Sequence, residues 1–333
     1  MTTRIKEIIF TVAILVVAAV VYWGKVAGWM TGFTFGTGLS VAIMVVLGLS
    51  LVVILVLTLQ GRLVGRRTVF LYVGIGVSLP FFMSLTQPIR ISPEVQELYN
   101  GMTALPEGSK VLMAFDYDPP SAPELQPMAE TFIRYCFDHD LKIVIIGLWP
   151  QGPQQANLAI DAVMASGKYS NLKYGVDYVN LGFQTGNEFV IQRMGTDFKS
   201  MFPTDFTGHP YDELPLVHNV KNFENIDYVF NLSAGYPGTV EWVQVAVDRY
   251  GVKLGAGNTA VQAPQCYPYL RSGQLIGILG GMNGAAEFEE ITSYPGKGTK
   301  YMLSQSFSHM IVIAFIIIGN VAFFRERFQQ KKR

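Results

Sequence analysis

Four long runs of hydrophobic residues interrupt an otherwise mixed chain of 333 residues. The runs contain no Asp, Glu, Lys or Arg and lie at 8–23, 39–59, 69–85 and 307–324. At 1.5 Å of rise per residue, an apolar helix of roughly 20 residues crosses a hydrocarbon core of about 30 Å. The pattern therefore predicts four transmembrane helices, at about 8–24, 39–60, 68–86 and within 307–333.

A second pattern occupies the chain between the third and fourth runs. Short apolar, β-branched segments alternate there with segments of helical periodicity. We expect strands at 111–115, 142–148, 177–183, 227–232 and 252–256, and helices at 93–103, 122–138, 154–165, 187–194, 239–250 and 273–290. Repeated β-α units without hairpin signals are typical of a parallel sheet covered on both faces. The fold class predicted for 87–306 is thus a three-layer α/β domain with a mainly parallel, Rossmann-like sheet, and 1–86 and 307–333 form its membrane anchor.

Composition agrees with a membrane protein, because 50% of the residues are hydrophobic and 15% are charged. Soluble chains carry nearer 25% charged residues. The net charge of zero hides a division: 86–306 has 14 Lys+Arg and 23 Asp+Glu, a net of −9, and the remainder has 11 and 2, a net of +9. Basic loops stay in the cytoplasm. We therefore expect a multi-pass protein of the inner cell membrane with both termini cytoplasmic and 87–306 periplasmic or extracellular. An acidic domain is also a poor partner for nucleic acid.

The predicted strands end in polar loops. Parallel sheets bind ligands beyond the carboxyl ends of their strands, so these loops predict a ligand-binding cleft; alternatively, they are ordinary turn and helix-cap residues. The candidate ligand-binding residues are Asp116, Asp118, Gln184, Asn187, Asn231, Ser233, Asn258 and Thr259.

Three of these residues are weak candidates for catalysis. Asp116 and Asp118 stand two residues apart, and in an extended segment they share a face, where they would bind a hard cation or raise each other's pKa; alternatively, one caps a helix and the other meets solvent. Ser233 follows a strand, but Asn231 stands where a nucleophile elbow has glycine. The sequence has no HExxH or CxxC motif, and we expect neither a metal nor a cofactor.

Small residues recur at spacings of three and four in the helix predicted at 273–290. Such a helix is costly unless its backbone closely approaches another element. That element is either a neighbour inside the domain or a second subunit, and the residues concerned are Gly277, Gly280, Gly281, Gly284 and Ala285.

Cys136 and Cys266 are the only cysteines. Both fall in the part predicted to lie outside the cytoplasm, where an oxidising compartment permits a disulfide. A buried thiol at Cys136 is the alternative.

These features favour a membrane-anchored, extracytoplasmic binding or scaffold component of an oligomeric envelope assembly over an enzyme. Its expected partners are the lipid bilayer and further copies of itself or other membrane proteins. One alternative is an extracytoplasmic hydrolase or transferase that uses Asp116 and Asp118. Another is a channel or transporter subunit, although spans without ionisable residues argue against an ion-coupled carrier.

Overall fold

The computed structural model describes residues 34–62, 64–83 and 87–331, together with 16, 20, 23, 24 and 85. Its contacts divide the chain into two compact units. One consists of Met1–Thr86 and Ser304–Arg333, and the other is Gln87–Leu303.

Two helices among the described residues are long and apolar enough to cross a membrane. They are α1 (Thr37–Leu59) and the segment Lys297–Phe328 of the terminal helix. The third predicted span is instead a 13-residue helix, α2 (Arg66–Ser78), followed by a 3-10 turn at Leu79–Phe82. Pro80 lies in that turn, and proline has no N–H to continue the helical ladder. The first predicted span, 8–24, lies almost wholly outside the described residues, so the count of four spans stays a prediction.

The second unit is built on a six-stranded parallel sheet, as the repeated β-α pattern predicts. The strands are β1 (Lys110–Asp116), β2 (Lys142–Gly147), β3 (Tyr178–Phe183), β4 (Tyr228–Ser233), β5 (Leu254–Asn258) and β6 (Gly277–Gly280). Their order across the sheet is β3-β2-β1-β4-β5-β6. This is the order of doubly wound, Rossmann-like sheets, in which the direction of winding reverses between β1 and β4.

Helices cover both faces of this sheet. They are α3 (Pro93–Thr103), α4 (Ala122–Asp138), α5 (Gly152–Met164), α6 (Glu188–Met194), α7 (Phe198–Met201), α8 (Thr239–Trp242, continuing through a π-helical segment at Val243–Val247 to Asp248–Tyr250), α9 (Ala263–Arg271) and α10 (Gly281–Ile291). The terminal helix α11 (Lys297–Lys331) follows α10. Each face has its own buried apolar cluster, one around Trp242 and the other around Phe132 and Phe230.

The helix predicted at 273–290 is wrong in its first half, where β6 forms the edge of the sheet. Position 277 of β6 requires glycine because α3 packs directly on it. A Cβ there would overlap Leu98 N and Glu94 O. Gly281 begins α10 in the left-handed region, with φ +58°, and a Cβ on Gly284 would lie 2.7 Å from Leu279 C.

The five small residues therefore do not share one helical face: Gly277 and Gly280 lie in β6, and Gly281, Gly284 and Ala285 lie in α10. Close packing inside the unit accounts for Gly277 and Gly284. The helical stripe on which the predicted subunit contact was based is therefore not present, because two of its residues lie in a strand.

The possible disulfide does not form. Cys136 and Cys266 are free and buried, and they belong to the apolar clusters on opposite faces of the sheet. Burial raises the pKa of both thiols, that of Cys266 to about 11. Both side chains therefore behave as small core residues.

A buried carboxylate fixes the start of the terminal helix α11. Glu289 accepts hydrogen bonds from the backbone N–H groups of Gly298 at 2.7 Å and Thr299 at 2.9 Å, and from the Thr299 hydroxyl at 2.8 Å. These N–H groups have no partner within the helix, and a negative charge is favourable at this end of it. Glu289, a residue of α10, thus fixes the first turn of α11.

Candidate functional site

Polar residues form a buried row across the carboxyl ends of three adjacent strands, β1, β4 and β5. Asp116 of β1 pairs in register with Ser233 of β4, and Ser233 pairs with Asn258 of β5. All three side chains are fully buried. The row adjoins the point between β1 and β4 where the sheet reverses its winding, which is where doubly wound sheets bind ligands.

Asp116 is the hub of this row. Its Oδ1 accepts the Leu148 N–H at 2.8 Å, and its Oδ2 accepts the Asn231 amide at 2.7 Å and the Trp242 indole at 2.9 Å. Burial raises the pKa of Asp116 to about 7, against the opposing effect of the three hydrogen bonds. The carboxyl group organises β1, β2, β4 and α8 at this edge.

A chain of hydrogen bonds leads from this hub to β5. The Thr239 hydroxyl donates to Asn231 Oδ1 at 2.7 Å, and the Asn258 amide donates to Thr239 Oγ1 at 2.8 Å. Because the single proton of Thr239 is already used toward Asn231, Thr239 can only accept from Asn258. Among the residues that the structure describes, the remaining Asn258 atom, Oδ1, has no partner.

The segment 234–238, here called the edge loop, lies beside this row. Three side chains hold it: the Ser233 hydroxyl donates to Gly235 O at 3.2 Å, Gln262 Nε2 donates to the same oxygen at 3.0 Å, and Trp149 Nε1 donates to Pro237 O at 2.8 Å. Gly238 is required by close contact, since a Cβ there would overlap Ser233 Oγ and Gly235 O. The loop is thereby held close to β4 and β5.

Two buried acceptors are left unpaired beside the edge loop. Asn258 is 0% exposed and Gln262 is 4% exposed, and within the described chain neither Asn258 Oδ1 nor Gln262 Oε1 has a hydrogen-bond partner. The other two such atoms, Thr131 Oγ1 and Tyr228 Oη, lie in α4 and at the start of β4. Buried acceptors normally have a partner, so these two oxygens are the positions at this edge where a bound water or ligand would donate.

The remaining predicted ligand residues sit around this row rather than in it. Asp118 is half-buried and precedes the 3-10 turn Pro119–Ser121, where its carboxylate accepts the Ser121 hydroxyl at 3.0 Å. Asp118 and Asp116 therefore do not act as a pair, since each has its own set of donors. The others contact neighbouring loops: Gln184 Nε2 donates to Met201 O at 2.8 Å, Asn187 Nδ2 to Tyr236 Oη at 3.4 Å, and Thr259 N to Ser233 O at 3.3 Å.

Ser233 has no catalytic surroundings among the described residues. Its hydroxyl is bonded to Gly235, and the three histidines of the unit are bonded elsewhere: His139 to Tyr135 O, His209 to Thr207 and Asp205, and His218 to Pro215 O. Nor does the described part of the chain contain a group of three or more His, Cys, Asp or Glu residues placed to hold a metal ion.

Three residues of this site, Gln262, Thr239 and Trp149, are not among those predicted from the sequence. The signal for two of them is their position, because Trp149 lies in a strand-end loop and Gln262 follows the end of β5 by four residues. Comparisons of the chain with protein-family models, curated proteins and solved structures return no match.

Proposed function

We propose that this protein is a membrane-anchored binding component whose α/β unit holds a small polar ligand at the edge loop. The proposal is carried by one observation, the two buried and unpaired acceptors Asn258 Oδ1 and Gln262 Oε1. A buried acceptor without a donor costs roughly 1–3 kcal/mol. Functional sites are where such a cost persists in a folded protein, because ligand binding removes it.

The proposed setting of this site is outside the cytoplasm, in a multi-pass protein that assembles with further copies or other membrane proteins. Support comes from the charges, since 86–306 carries a net −9 and the remainder a net +9. Basic segments next to membrane spans remain cytoplasmic. The apolar helices α1 and α11 supply the anchor.

A hydrolase or transferase based on Asp116 has less support. A pKa near 7 suits a general acid or base. However, Asp116 is fully buried, its oxygens accept three protein donors, and Asp118 is engaged with Ser121. A carboxyl group that is so enclosed serves better to position β1, β4 and α8 than to contact a substrate.

The test is native mass spectrometry of the full chain, released gently from its own membrane, on the wild type and two variants. Gln262→Met removes one amide donation to a backbone carbonyl together with the unpaired oxygen. Gln184→Met removes an amide donation of the same kind, to Met201 O, at the same edge of the sheet but away from Gln262. We expect a stoichiometric small molecule on the wild type and on Gln184→Met, and its loss from Gln262→Met.

Unfolding of the ligand-free proteins separates binding from folding. Gln262→Met loses a hydrogen bond of about 1 kcal/mol but also removes an unpaired acceptor that costs a similar amount, so its free energy of unfolding should stay close to that of the wild type. Wild-type protein without any bound small molecule would contradict the proposal. So would a ligand that remains on Gln262→Met.

A further inference from the structure

We infer that the group bound at the edge loop is an ammonium group, which presents N–H donors on a positive charge, and not a phosphate or carboxylate. This inference rests on the proposed function and adds the chemical class of the ligand. Four features of the carboxyl edge carry it: the unpaired acceptors, the blocked helix starts, the placement of charge and the exposed aromatic rings.

The first feature is that the unpaired atoms are all acceptors. The amide nitrogens of Asn258 and Gln262 each already donate a hydrogen bond, to Thr239 and to Gly235, so it is the two oxygens that have no partner. An anion would bring further lone pairs toward Asn258 Oδ1 and Gln262 Oε1 and would pair with neither. An ammonium group has three donors and no acceptor, which matches what the site lacks.

The second feature is the start of α4, where a doubly wound sheet normally binds a phosphate through free backbone N–H groups. Here Pro119, Pro120 and Pro123 have no N–H. The two N–H groups between them are used locally: Ser121 donates to Asp118 O and Ala122 to Pro119 O. This turn therefore offers no donor to an anion.

Other backbone donors at this edge are occupied by the protein's own carboxylates. The Gly238 N–H, at the start of α8, donates to Glu241 Oε2 at 2.7 Å. The Ala260 N–H, in the loop after β5, donates to Glu124 Oε2 at 2.8 Å. A phosphate at either position would have to displace a bound carboxylate and would be repelled by it.

The third feature is the division of charge along the strands. Lysines and aspartates stand together at the amino ends: Lys110 begins β1, Lys142 begins β2 and Lys253 directly precedes β5, while Asp177 directly precedes β3 and Asp227 directly precedes β4. Lys142 pairs with Asp177, so charge is balanced at this end. Carboxylates mark the carboxyl end, and none of the ion pairs in the described part of the chain involves Glu124, Glu188 or Glu241. Unpaired negative charge at one end of the unit attracts a cation to that end.

The fourth feature is aromatic surface beside the site. Tyr236 of the edge loop is 61% exposed and Phe189 is 63% exposed. The Tyr236 hydroxyl donates to Glu188 Oε2 at 3.2 Å, which brings a ring and a carboxylate to the same place. Trp149 lies against Gly235 from the side of β2. Exposed aromatic faces next to a carboxylate attract organic cations.

The test measures the Tm of the ligand-free full chain in detergent with simple probes at equal ionic strength. Methylammonium chloride supplies the charge and the N–H donors. Tetramethylammonium chloride supplies the charge without donors, and sodium phosphate supplies an anion. At several times its Kd, methylammonium should raise the Tm of the wild type and of Gln184→Met by roughly 3 °C and leave Gln262→Met unchanged. Tetramethylammonium and phosphate should have no comparable effect.

The inference is overturned if phosphate raises the Tm, if tetramethylammonium matches methylammonium, if no N–H cation has an effect, or if Gln262→Met responds like the wild type. The proposed function is judged separately by the co-purifying molecule and its loss from Gln262→Met. A ligand that meets that criterion but carries a phosphate would refute the ammonium inference and leave the binding function standing.

Discussion

Replacement of Asp116 by asparagine should remove a loss of stability that the wild type undergoes as the pH rises toward neutral. Asparagine has the shape of a protonated aspartic acid, but its amide nitrogen cannot accept from the surrounding N–H donors of Leu148, Asn231 and Trp242, so the variant loses at least one hydrogen bond at every pH. It carries no charge to desolvate. The variant therefore reports on the cost of the buried carboxylate, separately from the loss of the side chain.

The size of this loss of stability follows from the pKa of Asp116, which burial raises from 3.8 to about 7. Below pH 3.8 the group is protonated in both folded and unfolded chains and contributes no difference. Between pH 4 and 7 the unfolded chain releases the proton while the folded chain keeps it, so stability falls as pH rises. One unit of pKa difference is worth about 1.4 kcal/mol, so the free energy of unfolding of the wild type falls by about 4 kcal/mol across this window.

The assay is denaturant unfolding of the full chain in detergent at pH 5 and pH 8, followed by tryptophan fluorescence. Trp242 donates to Asp116 and is a local reporter. We expect Asp116→Asn to gain roughly 2–3 kcal/mol on the wild type between pH 5 and pH 8, because the lost hydrogen bond costs the variant the same at both pH values. Comparing the two proteins at each pH cancels the titration of groups that they share. A variant that is less stable than the wild type by the same margin at both pH values would show that the three hydrogen bonds outweigh burial.

Three further predictions concern the frame around the site. Glu289→Gln places an amide among N–H donors and should destabilise the first turns of α11 by roughly 1–3 kcal/mol. The measurement is hydrogen exchange at 298–303, which should become faster; unchanged exchange would contradict the role of Glu289 at the start of α11. Gly277→Ala should destabilise the α/β unit by about 2 kcal/mol or more, because its Cβ overlaps the backbone of α3, and should leave the oligomeric state unchanged. Cys136 and Cys266 should react with a thiol reagent only after unfolding, and modification of the native protein would contradict their burial.

The amino-acid sequence by itself determined that α1 and α11 are long and apolar enough to cross a membrane, and that strands and helices alternate in the second unit. These features depend on hydrophobic periodicity within short windows, which is a local property. The bounds of α4 agree with prediction because its amphipathic pattern is long and regular, and β2 agrees because a β-branched run is interpretable without knowledge of its neighbours. The candidate residues Asp116, Asn231, Ser233 and Asn258 were also found, since strand ends are visible in the sequence.

Only the tertiary structure decided how those residues are used. The insertion of β4 between β1 and β5 brings Asn231 to Asp116 across more than a hundred residues, and no local pattern records strand order. The sixth strand was missed because its glycines indicate only close approach, and the packing of α3 determined that Gly277 belongs to a strand. The faces occupied by Cys136 and Cys266 were likewise set by helix placement. Gln262 gained its importance from the edge loop that covers it, because an unpaired acceptor is defined by what surrounds it.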